Sequence, residues 1–347
     1  MLRSSVVRTA ATLDRHFLGS LLRRYEGAGN PLSCEPVAEG LLNHGYFLAT
    51  THGRYFLKHH LDGDLGAITR QHRATLRLAD LGLPVAPPVP AADGRTVTVL
   101  DGRCYALHPW VEGRHLGGDA LSRAQSRRLG ALLGLVHTAL EQVMAGAPHL
   151  PPAYPVDSAD PARTFELIDE LLALARRARP RTSFDELAEH RLLERRALLK
   201  RLTHRRPAAA PAAGWVHGDF HPLNVLYRGG EPAAIVDWDR LGIQPRAEEA
   251  VRAAAIFFVR PCGTLDLAKV AAYAGAYRSA CGAGPDELAA AAHRVWWERL
   301  NDFWMLTWRY RLGDPRTDPQ FPAASALAVW WTREYAAVRD AFAGCST

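Results

Sequence analysis

The densest group of residues able to do chemistry is His217-Gly218-Asp219-Phe220-His221-Pro222-Leu223-Asn224, followed after a strand-like run by Asp237-Trp238-Asp239. Between the two lie Val225 to Tyr227 and Ala233 to Val236, apolar stretches on either side of an Arg228-Gly-Gly-Glu turn. That arrangement predicts a β-hairpin, and a hairpin brings its two ends together. Carboxylates and an amide at one place suit phosphoryl transfer. One carboxylate orients or deprotonates an attacking hydroxyl, and hard oxygen donors hold Mg2+ on the nucleotide phosphates. Asp, Asn and Gly are also the ordinary turn formers, so the weight lies in the ordered set and not in any single member.

Lys58 is a second candidate, in the strand-like Tyr55-Phe-Leu-Lys58-His. An ammonium on a rigid strand meets phosphate oxygens as a compact point charge. Only three of the 42 basic residues are lysine (Lys58, Lys200 and Lys269), so a lysine in a special place stands out from an arginine background.

The pattern His-Gly-Asp-x-x-x-x-Asn followed by Asp-x-Asp resembles the aminoglycoside phosphotransferase and choline kinase-like small-molecule kinases. The resemblance spans about residues 33 to 315. It includes a Gly/Asn strand-turn at Glu39-Gly40-Leu-Leu-Asn43-His-Gly45-Tyr46, the strand lysine Lys58, and a short hinge from Leu107 to Gly113. It implies a two-lobed, protein-kinase-like α+β fold, with a small antiparallel sheet lobe carrying one helix and a larger, mainly α-helical lobe. It implies Asp219 as catalytic base, Asn224 and Asp237 as metal ligands, and Lys58 on the phosphates of ATP or GTP. His217 would brace the loop, and Asp239 would assist the metal or be structural. Gly40 and Asn43 would approach phosphate, and the backbone near His108, Trp110 and Val111 would hold the base. One position departs from the pattern. Where related kinases place a glutamate to orient the lysine, this chain has Gln71, whose amide oxygen accepts a hydrogen bond but offers no ion pair. Asp62 and Asp64 are the nearby substitutes.

Positioning these residues requires a sheet followed by helices, and hydropathy periodicity agrees. A helix is expected over 13–26, strands from 35 to 60, a helix over 67–81, and short strands at 85–90, 96–100 and 104–107. Helical spacing then dominates at 119–145, 162–178, 184–203, 247–258, 265–281, 286–312 and 323–343. The expected organisation is an N-terminal helix (1–32), a nucleotide-binding sheet (33–107), a hinge (108–113) and a helical lobe (114–347) holding a catalytic loop (217–224) and a metal loop (235–239). On the 286–312 helix, Trp297, Trp304 and Trp308 fall on one face, as a core seam or a stacking wall. Glu298 and Asp302, four apart, would grip a cationic or hydroxyl-rich substrate or form a solvated ion-paired face.

With 48% hydrophobic and 22% charged residues, the 347-residue chain has a globular composition and enough length for a sizeable core. No apolar run reaches bilayer length, and the first residues lack a signal-peptide centre, so a cytoplasmic protein with no membrane partner is expected. Five scattered cysteines form no zinc or disulfide pattern. The net charge of +6 is spread among acidic residues, against a nucleic-acid footprint. No Gly-x-x-x-x-Gly-Lys-Ser/Thr occurs, and protein-kinase signatures other than the catalytic set are missing. The expected enzyme is an ATP-dependent O-phosphotransferase on a small-molecule hydroxyl, monomeric or homodimeric. Its acceptor would be a nucleoside- or sugar-type antibiotic, or alternatively a metabolite such as homoserine, choline or a sugar. A non-catalytic nucleotide-binding module is the rival class, hinted at by Gln71.

Overall fold

The computed structural model describes residues 12–37, 43–146, 156–210 and 214–344. Helix α1 (Arg15–Leu22) starts at Asp14, whose side chain accepts the Phe17 N–H at 2.8 Å. Its stripe of Leu18, Leu21 and Leu22 is buried against Tyr46, Leu48, Leu57, Tyr105 and Leu107, so the opening helix shares the core of the sheet that follows.

That sheet comprises β1 (Pro31–Val37), β2 (His44–Thr50), β3 (Arg54–His60), β4 (Thr98–Leu100) and β5 (Arg103–Pro109), ordered β1-β2-β3-β5-β4 with every pair antiparallel. Helix α2 (Leu65–Asp80) follows β3, capped by Asp64, which accepts the Ala67 N–H at 2.9 Å. Register places Lys58 opposite Gly45 on one side and Ala106 on the other. Because side chains alternate along a strand, Phe56, Lys58, Phe47 and His108 share one face. The expected strand at 85–90 is only a single parallel bridge, Val85 to Ile235. Its prolines (Pro87, Pro88, Pro90) lack the donors a ladder needs.

The larger lobe runs β6 (Arg114–His115), α3 (Arg123–Met144), α4 (Pro161–Arg177), α5 (Ser183–Leu202), β7 (Gly214–Val216), β8 (Val225–Arg228), β9 (Glu231–Ile235), β10 (Gly242–Gln244), α6 (Arg246–Phe257), α7 (Leu267–Cys281), α8 (Pro285–Asn301), α9 (Trp304–Arg311), α10 (Phe321–Arg333) and α11 (Tyr335–Ala343). β8 and β9 form the hairpin expected between the two polar motifs, with β6 alongside, and β7 pairs with β10. Helix α3 begins in a capping box: Ser122 Oγ accepts the Gln125 N–H, and Gln125 Oε1 accepts the Ser122 N–H. Helices α3 and α7 approach closely through glycine. A Cβ at Gly130 would lie 2.1 Å from the Tyr273 carbonyl oxygen, and one at Gly134 would lie 2.7 Å from the Ala280 Cβ.

Two expected helices are each divided. The 286–312 run breaks at Asp302 and Phe303, and the 323–343 run at Glu334. The first break has a cause in α5. The buried Arg195 guanidinium donates to the carbonyls of Arg299 (2.6 Å), Leu300 (3.1 Å) and Asp302 (2.7 Å), satisfying the end of α8. Asp302 Oδ1 then accepts the Trp304 N–H at 3.0 Å and starts α9. Trp297 therefore does not share a helix with Trp304 and Trp308. It is fully buried, with its indole N–H on the Ala159 carbonyl. Among the described residues no helix is long and apolar enough to cross a membrane.

Candidate active site

Lys58 reaches from the centre of the small sheet to the Asp-Trp-Asp turn that follows β9. Its ammonium donates to Asp237 Oδ1 at 2.8 Å and to Asp239 Oδ1 at 2.6 Å. Asp239 is held further by the Asn43 amide, which donates to Oδ2 at 2.5 Å, and Asn43 Oδ1 accepts the Leu61 N–H at 2.9 Å. Burial pushes the Asp237 carboxyl up, but Lys58 outweighs it and holds the group down at about 2. Asp239 is raised, by burial and by its like-charged neighbour. Asp237 has φ of 60°, in the left-handed region that costs a non-glycine residue about 1–3 kcal/mol, so the fold spends stability to aim this carboxylate.

Gln71 does not meet the ammonium. Its Nε2 donates to the Asp239 backbone carbonyl at 2.9 Å, fixing the turn and leaving Lys58 to the two carboxylates. Asp64 is used as the α2 cap and Asp62 accepts the Asp64 N–H, so neither takes the place of a helix glutamate. Asp239 was expected among the metal donors, yet both its oxygens are engaged, by Lys58 and by Asn43. It anchors the lysine.

Asp219 lies at the other end of the hairpin, between an imidazole and a guanidinium. His221 Nε2 and Arg240 Nε each stand 3.6 Å from its carboxylate oxygens. Burial raises this carboxyl, but His221 and Arg240 more than compensate, and it sits below its ordinary range. It is ionised at neutral pH and free to take a proton. His217, fully buried, ties the two ends together: its Nε2 bonds the Val236 carbonyl at 3.0 Å, and its Nδ1 accepts the Asp219 N–H at 3.2 Å. Asn224 donates its amide N–H to the Asp219 carbonyl at 2.8 Å, which turns the amide oxygen elsewhere. The Asn224 carbonyl accepts the N–H of Val236, the residue before Asp237, at 3.0 Å. The Asn224 amide oxygen and the Asp237 carboxylate are the hard oxygen donors that could hold a divalent cation, with phosphate oxygens and water completing its shell. Among the described residues no three His, Cys, Asp or Glu side chains make a closed cage, and such an open site needs none.

The loop backbone is clamped from both sides. Gly218 has φ of 85°, and a Cβ there would lie 2.1 Å from the Arg240 carbonyl oxygen, so no other residue fits. Opposite, Glu249 of α6, 2% exposed, accepts the Gly218 N–H at 2.5 Å and the His217 N–H at 3.1 Å. Glu249, Arg240 and His221 were not anticipated. The available signal for Glu249 was an acid inside an alanine-rich apolar helix, which rarely goes unpaired.

The remaining expected residues divide. His108 Nδ1 bonds the Ala86 carbonyl at 3.0 Å, and burial holds the ring down at about 4. The Trp110 ring meets Phe47 edge-on at 4.7 Å, but its backbone N–H is already taken by the Arg54 carbonyl. Val111 is half-buried, and Gly40 lies outside the described residues. Glu298 is not available to a substrate, because Arg252 grips both its oxygens at 2.8–3.1 Å. Asp302 caps α9, and Trp304 packs edge-on against Trp308 at 5.9 Å.

The sequence model of the phosphotransferase enzyme family matches residues 33–290. The chain is 27% identical over 285 residues to a homoserine kinase of Methylobacillus flagellatus, covering 80% of this chain and 82% of the relative. It is 29% identical over 279 residues to one of Methylobacterium nodulans, covering 79% of each. Among solved structures, a spectinomycin phosphotransferase crystallised with ADP and spectinomycin superposes with a TM-score of 0.62 at 14% identity, covering 91% of this chain and 98% of that one. A microcompartment-associated aminopropanol kinase superposes with a TM-score of 0.59 at 16% identity, covering 94% and 98%. At these identities the structural likeness speaks for the fold, which is protein-kinase-like and two-lobed.

Proposed function

Because this chain belongs to the phosphotransferase enzyme family and is a kinase of small-molecule hydroxyls, we propose an acceptor that carries an anionic group near its hydroxyl, as homoserine does. The observation that carries this reading is the half-exposed Arg240 guanidinium, which stands 3.6 Å from the Asp219 carboxylate. With Glu298 neutralised by Arg252, no carboxylate assigned to the substrate remains free for a polycationic aminoglycoside. The two homoserine kinases matched in sequence support the same acceptor class.

Asp219 takes the proton of the acceptor hydroxyl as that oxygen attacks the γ-phosphoryl group. Lys58, anchored by Asp239, meets the phosphate oxygens of ATP or GTP. Magnesium, held by the Asn224 amide oxygen and the Asp237 carboxylate, would neutralise charge on those phosphates. His217 holds the base and the metal turn at a fixed separation. Arg240 steers the acceptor's anionic end and keeps Asp219 ionised.

The test is nucleotide consumption with MgATP and a panel of L-homoserine, choline, aminopropanol and spectinomycin. Turnover confined to the hydroxy acid is expected. Turnover confined to the cationic compounds overturns the acceptor assignment. The antibiotic reading of the sequence differs only in the acceptor, and turnover with a nucleoside- or sugar-type antibiotic but not with L-homoserine would favour it.

A further inference from the structure

We propose that His108 selects the base of the nucleotide, its imidazole Nε2 accepting the 6-amino group of adenine and turning away the 6-oxo group of guanine. The inference rests on reading this cleft as the site of a nucleoside triphosphate, and it concerns the base alone, not the acceptor. Lys58 marks where the phosphates lie. Phe56 precedes it by two residues on β3, about 7 Å toward the hinge, and His108 is the β5 residue directly opposite Phe56. In the other direction along β3, His60 is buried against His72 of α2 and leaves no room. A nucleotide whose phosphates rest on Lys58 therefore brings its base to Phe56 and His108.

The tautomer of His108 is fixed. Its Nδ1 meets the Ala86 carbonyl at 3.0 Å, and a carbonyl only accepts, so Nδ1 carries the proton. Burial holds the ring down at about 4, so at neutral pH that proton is the only one it carries. Nε2 is then a bare lone pair. It has no hydrogen-bond partner among the described residues, and it is not one of the polar atoms sealed from solvent, so it opens on the cleft side of this half-buried side chain. The ring cannot turn over and exchange its nitrogens without depriving the Ala86 carbonyl of its donor, and His72 stands edge-on to it at 5.6 Å. Ala86 is itself held steady. The Pro84 carbonyl accepts the Ile235 N–H at 2.7 Å, Val85 bridges to Ile235, and Pro87 and Pro88 stiffen the chain that follows.

Adenine presents an amino donor at the edge this nitrogen meets, and guanine presents a carbonyl oxygen. A lone pair facing the amino group gains a hydrogen bond. Facing the carbonyl, it sets two acceptors against each other with water excluded, which costs more than a missing bond. The aromatic neighbours do not discriminate. The Phe56 ring lies across β2, where a Cβ on Gly45 would stand only 2.6 Å from it, and Phe47 and Trp110 pack edge-on at the same end of the sheet. Such rings stack on any base. The Trp110 N–H, which could have read a base edge, is already taken by the Arg54 carbonyl, so His108 is left as the side chain that tells one purine from the other.

The experiment measures the dissociation constants of MgATP and MgITP by calorimetric titration, for the full chain and for His108→Asn, His108→Gln and His108→Leu, with no acceptor present. Inosine carries the 6-oxo group of guanine without its 2-amino group, so this pair of nucleotides isolates the edge in question. The unaltered chain should bind MgATP at least about tenfold more tightly than MgITP. His108→Asn keeps a donor for the Ala86 carbonyl but has nothing at the Nε2 position. It should bring the two affinities to within about threefold, and His108→Leu should do the same. His108→Gln, whose amide oxygen can take the place of Nε2, should keep most of the preference. Equal binding of MgATP and MgITP by the unaltered chain, or an undiminished preference in His108→Asn, overturns the proposal and leaves the nucleotide reading of the cleft in place. Should His108→Leu not fold, the contrast between the Asn and Gln variants decides the matter. Binding of neither nucleotide overturns the nucleotide reading itself, and this inference with it.

Discussion

The two ends of the β8–β9 hairpin are built by opposite means. At the Asp237 end, side chains from the small lobe converge on side chains of the turn: Lys58 on both carboxylates, and Asn43 on Asp239. At the Asp219 end the carboxylate has only loose neighbours, while its backbone is locked by Glu249, by His217 and by the close approach of Arg240 to Gly218. A group that binds phosphate and metal gains from strong charge pairing. A base must keep its carboxylate free, so its rigidity has to come through the main chain.

The sharpest way to break this comparison is Asp219→Ala. It should lower turnover by about a thousandfold or more while MgATP affinity stays within about twofold; near-normal turnover would strip Asp219 of its role. The next effect is acid sensitivity of the small-lobe side. Burial and neighbouring charges hold His60, His72 and His108 at about 3, 2 and 4. All three are depressed in the folded chain, so the unfolded chain binds more protons and stability falls as pH drops below about 6.5. The slope is at most about 1.4 kcal/mol per pH unit for each histidine. Asp237, held at about 2, adds its own loss only below about pH 4, down to about 2. Thermal unfolding recorded between pH 7 and 5 should therefore slide steadily, and a flat profile would contradict the burial of these rings. Lys58→Met should weaken MgATP binding by about tenfold to a hundredfold, since charge-assisted bonds contribute roughly 1.5–3 kcal/mol; calorimetric titration checks this, and unchanged affinity would make the lysine merely structural. Smallest of all, Glu298→Gln should leave KM for the acceptor within about twofold and lower stability by at most about 1 kcal/mol, because this partly exposed carboxylate serves Arg252. A large rise in KM would return it to the substrate site.

The legible part of the site was the local part. The motifs ending in Asn224 and Asp239 lie within one hairpin, so spacing alone brought them together, and alternating apolar residues marked β2, β3 and β5. The illegible part depends on contacts between distant segments. Nothing near Asp302 announces a helix break, because the guanidinium that takes up the carbonyls there belongs to Arg195 in α5. Gln71 read as a defective partner for Lys58 because its true acceptor is a main-chain carbonyl, at Asp239, which no residue pattern displays. Glu249 and its partner His137 escaped for the same reason, since each is one polar residue among several in its helix, and its burial is set by the helices packed around it.

Asn43, Lys58 and Gln71 come from three different parts of the small lobe and all fasten to residues 237–239. The Asp-Trp-Asp turn thus gathers three independent ties from the small lobe into three consecutive residues, so the loss of any one leaves two others to keep this junction in register.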